Sequence, residues 1–172
     1  DPAAAERWGT KPAAIVNHLQ AVLLDPSSRA IVFSAFDECL ALLASTFADA
    51  GVSAVRCQGD AAARHKAIAA FSDTRTVDSN GRPRDGPHVL LLSSQHNASG
   101  TNLQCADHVI MVDPPGTNQR HGLSVETQAI GRTLRLGQTR RVRVRYFLME
   151  NSIEEDIYGA LKELRDADAS SA

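Results

Sequence analysis

The sequence has 172 residues, 43% of them hydrophobic and 22% charged, with a formal net charge of −2. Those values fit one soluble globular domain, or one lobe of a larger protein, that buries its core without disulfide staples; they exclude a disordered, collagenous or small disulfide-rich chain. No apolar run reaches about 18 residues, so no membrane span is expected. The first residues, DPAAAERWGTK, lack a signal-peptide apolar core and no Met starts the chain, which therefore reads as part of a longer protein. The mean charge hides an asymmetry. Three basic residues are lysines (Lys11, Lys66, Lys162), and the remainder are arginines. Arg132, Arg135, Arg140, Arg141, Arg143 and Arg145 fall within residues 132–145 with no acid between them. Such a block points to bidentate phosphate or carboxylate contacts.

In chain order, Ile15, Leu19, Val22 and Leu23 recur at helical spacing within 11–24, and Trp8 reads as a packing anchor just before them. Residues 30–34 (AIVFS) predict a buried strand. A helix is expected over 36–49, ended by Gly51. Residues 52–57 predict a strand and 61–71 a helix. The polar, Gly- and Pro-containing stretch 72–87 reads as a flexible surface loop. Two apolar strands are expected at 88–93 and 108–113, the second followed by an irregular loop at 114–123. A helix at 124–134, a strand at 142–148 and a helix at 152–165 complete the pattern; Ser152 is the expected N-cap and Glu155 its capping-box partner. Strands alternating with helices imply an α/β fold with a mostly parallel sheet between helices, its ligand sites beyond the strand C-terminal ends.

Cys39, Cys57 and Cys105 form no CxxC pair and read as reduced thiols. Cys105 and His108 make a C-x-x-H that no second pair completes, so no metal site is expected. His65, His88, His96 and His108 read as surface or core residues. Neither GxxxxGK[ST] nor GxGxxG occurs, so the chain has no phosphate loop of its own.

The most informative string is Gln128-Ala129-Ile130-Gly131-Arg132-Thr133-Leu134-Arg135-Leu136-Gly137-Gln138. Two arginines at i and i+3 share a helix face. By spacing alone, this is either a solvated basic helix end or an anion site. The whole string resembles motif VI of helicase superfamily two, in the QAxxRxHRxGQ form of Swi/Snf-type ATPases. Ala30–Phe36 (AIVFSAF) resembles motif IV, Arg64–Phe71 the family's R…AI..F segment, and Val89–Leu103 motif V. Val109–Pro114 resembles the VI..DP strand and Arg140–Glu154 the V.VYRLI…TIEE tail. The resemblance covers about 11–158, and GTK near the start and QAIGR in motif VI look most like the SHPRH-type branch, which joins a chromatin motor to a RING ubiquitin ligase.

The resemblance implies a RecA-like three-layer α/β/α lobe spanning 11–166, the second of two in a DNA-dependent ATPase, with residues 1–10 as an extension and 167–172 as a disordered tail. ATP with Mg²⁺ would be held by the first lobe and completed by this one. Arg135 then matches the arginine finger and Arg132 its partner; fingers are worth roughly 10³–10⁵-fold in rate elsewhere. Gln128, Gly100 and Asn102 are the implied nucleotide-side contacts. Ser34, Ser94 and Gln95 are the implied contacts to the DNA backbone. Arg143 and Arg145 are either a solvated sheet edge or a phosphate-tracking surface. The implied setting is the nucleus, with duplex DNA, possible nucleosomes, the first lobe and ubiquitin-pathway proteins as partners, and no membrane. The pattern departs from the family at three places: Asn97-Ala98 replace two motif V glycines, Leu134 replaces a histidine, and DPPGTNQRHGLSVE replaces DPWWNP. A degenerate lobe acting as an interaction scaffold is the competing reading.

Overall fold

A computed structural model describes residues 2–73, 86–94, 103–115, 119–134 and 138–170. Strand β1 (Ala30–Ser34) is central in a five-stranded sheet. It pairs with β3 (Val89–Ser93) on one side and β4 (His108–Met111) on the other. The outer strands are β2 (Ala54–Arg56) beside β3 and β5 (Arg143–Tyr146) beside β4. All four pairings are parallel, and the order is β2-β3-β1-β4-β5. The expected α/β class and parallel sheet are what the chain forms.

Every residue of β1, β3 and β4 is buried, which is why their sequences are continuous apolar runs rather than alternating ones. Alternation is visible in where they point. Ala30, Val32, Val89, Leu91 and Ile110 face α2 (Thr10–Val22) and α3 (Asp37–Asp49), meeting Ile15, Leu19, Leu40 and Phe47. Ile31, Phe33, Leu90, Leu92, Val109 and Met111 face the opposite layer, with Phe71 of α4 (Ala61–Ser72) and Ala129 of α5 (Gln119–Gly131). Burying each such large side chain contributes about 1.5–3 kcal/mol. Trp8, at the end of α1 (Pro2–Trp8), packs against the first cluster as its sequence position suggested. Residues 2–8 are thus helical where only an extension was expected.

Local signals explain the helix ends. Asp60 caps α4 by accepting Ala63 N–H at 2.8 Å. Gly51 follows α3 at φ 71°, a left-handed position that suits glycine. Helix α6 (Ile153–Ser170) opens with Ser152 accepting Glu154 N–H at 3.3 Å, while Glu155 reaches Asn151 N–H at 2.9 Å. The capping box is therefore present with its return bond shifted by one residue. Residues 167–170, expected in a disordered tail, continue α6.

The larger correction concerns α5. It begins at Gln119, inside the stretch expected to be an irregular loop. Gly122 reads as a loop residue in sequence, but a Cβ there would stand 2.1 Å from the Pro115 carbonyl oxygen and 3.1 Å from Leu161 Cδ2. The glycine permits a close helix approach rather than a turn. Of the loop expected at 72–87, residues 74–85 lie outside the described residues.

Candidate functional site

Beyond the C-terminal ends of β1 and β3, Phe33, Ser93 and Ser94 face Val125, Gln128, Ala129 and Arg132 across one small cleft. Its volume of about 10 Å³ is room for about one water. No nucleotide fits inside it. Arg132 and Gln128 reach it together because they lie four residues apart. Arg132 is buried, at 9% exposure. Its backbone is fixed as well: Leu103 N–H donates to Arg132 O at 3.3 Å, joining the end of the motif V segment to motif VI. Gln128 is exposed and donates to Ser124 Oγ at 3.2 Å. Ser94 N–H donates to Ser34 O at 2.9 Å, extending the strand pair into the cleft wall. Of the residues singled out in the sequence, the cleft therefore gathers Gln128, Arg132 and Ser94. Arg135, Gly100, Asn102 and Gln95 lie outside the described residues.

Ser34 makes a buried bond that its sequence position does not reveal. It is 1% exposed, and its hydroxyl donates to Asp113 Oδ2. Asp113 Oδ1 accepts Ala35 N–H at 2.9 Å, and Ser34 Oγ accepts Phe36 N–H at 3.1 Å. The Ala35 and Phe36 N–H groups are thus used internally, and the first turn of α3 carries Asp37 and Glu38. Ser34 thus fixes the β1–α3 turn through its buried hydroxyl. Burial pushes the Asp113 carboxyl up from the usual range, against the lowering effect of the Ser34 and Ala35 bonds.

The arginine block divides. Arg140 is a structural clamp, donating to Ser27 O at 2.6 Å and pairing with Asp25 at 2.8 Å and with buried Asp107 at 3.0 Å. Arg143 and Arg145 are exposed on β5, alternating with half-buried Val144 and Tyr146, which pack inward on the α4–α5 side. They lie on the α2 side of this edge strand. Among the described residues, neither makes an ion pair. Nearby His18 is held down at about 4, first by burial, then by the Arg145 and His108 charges.

Three useful residues escaped the sequence reading. Gln138, last in the motif VI string, donates to Gln104 O at 2.9 Å and Ala106 O at 2.8 Å and accepts Arg140 N–H at 2.9 Å. Asp107 gathers Arg29 N–H, Ser28 and Arg140. Glu126 is buried in α5 and accepts from Tyr146 and Arg165. The burial period of α5 is the signal that finds Glu126; sequence alone gave it no partner. Among the described residues, no group of three or more His, Cys, Asp or Glu stands together to hold a metal, and no helix is long and apolar enough to cross a membrane. All three cysteines are unpaired, and burial pushes each thiol up.

A parallel sheet between helices, with Arg132 just beyond α5 set against the strand C-termini, defines a RecA-like lobe. The model of the helicase conserved C-terminal domain matches residues 10–137, and the chain belongs to that family. A DNA repair protein rad5 of Aspergillus fumigatus is 32% identical over 164 residues, covering 82% of this chain and 12% of that protein. An Arabidopsis thaliana protein named among the SWI/SNF-related matrix-associated actin-dependent regulators of chromatin is 32% identical over 134 residues, covering 77% of this chain and 14% of its own. The C-terminal part of the Fun30 ATPase domain superposes with a TM-score of 0.68 at 25% identity, covering 88% of this chain and 44% of that one. The lobe is thus of the Swi/Snf type, with Rad5-like relatives, and spans about an eighth of the length of the curated relatives it matches.

Proposed function

We propose that this chain is the second ATPase lobe of a nuclear, DNA-dependent translocase that acts on duplex DNA in repair or chromatin. The observation that carries the reading is Arg132, buried against Ser93, Ser94 and Gln128 at the strand ends. A guanidinium held in low dielectric stabilises negative charge more strongly than one in water. A cleft of one water's volume suits the tip of a phosphate, with the rest of ATP on a first RecA-like lobe outside this sequence. Arg135 is the finger, three residues further along, and Arg132 its buried partner. Phosphoryl transfer builds charge on the γ-phosphate oxygens, which planar cations stabilise without moving a proton. Gly100 and Asn102 close the same side of the nucleotide.

The residues here suit phosphate contact and not a Mg²⁺ cage, so Mg²⁺ would be held by the first lobe. Arg143 and Arg145 track the duplex backbone, with Ser94 and Gln95 at the motif V turn. Their exposure leaves both guanidinium groups available to a backbone phosphate. Contacts of this kind position without reading sequence. A nucleosomal substrate and ubiquitin-pathway partners are carried by the motif resemblance rather than by any group in this lobe.

In the full-length protein, Arg135→Ala should cut DNA-stimulated ATP hydrolysis by about 10³-fold or more while ATP binding survives. Turnover within a few-fold of the parent protein would refute the finger assignment. Arg143→Glu with Arg145→Glu should weaken duplex binding and shallow its dependence on salt by about two phosphate contacts. Binding and salt slope both unchanged would make this strand a solvated edge.

A further inference from the structure

Arg132 directly follows the last residue of α5, so whatever locates α5 locates the backbone from which that guanidinium projects. Its buried stripe is unusual. Within the helix, Gly122, Glu126 and Ala129 face inward, followed by Arg132 and Thr133. That spacing is helical, but its fully buried positions hold no large apolar side chain, and the apolar contacts of α5 come from half-buried residues such as Ile130. Gly122 provides a close approach to Pro115 and Ala129 one methyl group. The remaining inward group is a carboxylate. Glu126 is 2% exposed, and Oε1 accepts the Tyr146 hydroxyl and Arg165 at 2.6 Å. Tyr146 ends β5 and pairs with Met111 of β4, so one bond ties α5 to the sheet. Arg165 lies on α6, so the other ties α5 to α6. The Tyr146 ring meets the Tyr158 ring at 4.8 Å, tilted by 51°, and the Arg165 guanidinium lies 5.9 Å over it. The clasp is therefore itself held by packing.

We infer that Glu126 is a positioning residue: through its bonds to Tyr146 and Arg165 it sets α5 against sheet and α6, and thereby aims Arg132 at the phosphate. The inference rests on the proposed role of Arg132. Glu126 is six residues before Arg132, about 9 Å along the helix, so it does not touch the nucleotide. A polar clasp is directional where an apolar stripe is not, and misplacing a reacting group by about 1 Å costs on the order of 10²-fold in rate. Buried Oε2 has no partner among the described residues. The carboxylate is thus kept for the two donors on Oε1 despite the cost of burying it.

The test uses the full-length protein and four variants: Tyr146→Phe, which keeps the ring; Glu126→Gln; Arg132→Lys, which keeps charge but loses the planar fork; and Glu126→Gln combined with Arg132→Lys. Tyr146→Phe and Glu126→Gln should lower kcat for DNA-stimulated ATP hydrolysis by about tenfold or more, with KM for ATP within about twofold. The combined variant should be no slower than Arg132→Lys alone, because the clasp acts through that arginine. Unchanged kcat in folded Tyr146→Phe, or multiplicative losses in the combined variant, overturns the positioning role while leaving Arg132 in place. Normal turnover in Arg132→Lys removes the parent reading, and this inference with it. If Glu126→Gln does not fold, Tyr146→Phe combined with Arg132→Lys decides on the same criterion.

Discussion

Arginines of one sequence block serve unlike ends, and burial of the acid beside them decides which. Arg140 faces Asp107, 1% exposed, whose other oxygen accepts Arg29 N–H at 2.9 Å. Removing the guanidinium leaves a buried carboxylate short of its cation. Arg140→Ala should therefore lower stability by about 1–3 kcal/mol, read as a lower urea midpoint at constant slope. Arg143→Ala, whose side chain is exposed, should stay within about 0.5 kcal/mol. Nothing in the string RRVRVR distinguishes these two, since the difference lies in Asp25 and Asp107, which the fold brings from far along the chain. His18 gives a pH signature. Its folded value is near 4 against an ordinary 6.5, burial being the main cause. The unfolded chain then binds the proton more readily. Stability from this group is complete above about pH 6.5 and falls as pH drops towards 4. His18→Gln should flatten that part of the stability–pH curve; an unchanged slope between pH 6.5 and 4 would exclude His18 as its source.

At the scale of elements, α5 shows how far pattern reading extends. Strands β1, β3 and β4 were legible because burial on both faces writes itself as unbroken apolar runs. Helices α2 and α3 were legible because their apolar residues recur on one face. Helix α5 buries no large apolar side chain fully, and its first turn falls within the stretch that reads as an irregular loop. The structure explains Gly122 by contact: the Pro115 carbonyl occupies the space a Cβ would need. Gly122→Ala improves intrinsic helix propensity by about 1 kcal/mol, yet it must displace backbone, and overpacking typically costs about 1–3 kcal/mol or more. The clash should win. The variant should be less stable in urea and, with α5 shifted, slower in ATP hydrolysis. A more stable variant would mean that α5 accommodates the methyl group and that the contact sets nothing.

For the whole molecule, the motif positions were legible because they sit at ends of readable elements. Their joins were not, because the bonds that make them cross the chain. One such join is Lys11, noticed in sequence only as part of GTK. Its Nζ donates to Val112 O at 2.8 Å and pairs with Glu154 at 2.6 Å, and Glu154 also accepts Met149 N–H at 2.8 Å. The start of α2, the end of β4 and the start of α6 meet there, beside Asp113 and the β1–α3 turn. The lysine and glutamate side chains are 15% and 23% exposed, so the pair is partly desolvated and its loss is uneven. Lys11→Met leaves Glu154 with a charge and no cation and should cost about 1–3 kcal/mol. Lys11→Met with Glu154→Leu removes both charges and should recover part of that loss, though Met149 N–H then loses its acceptor. A double variant less stable than Lys11→Met would show that Glu154 acts chiefly as the cap of the β5–α6 turn. Recovery would show that the cost of Lys11→Met is mainly the uncompensated Glu154 charge, left where α2 and α6 meet beside the end of β4.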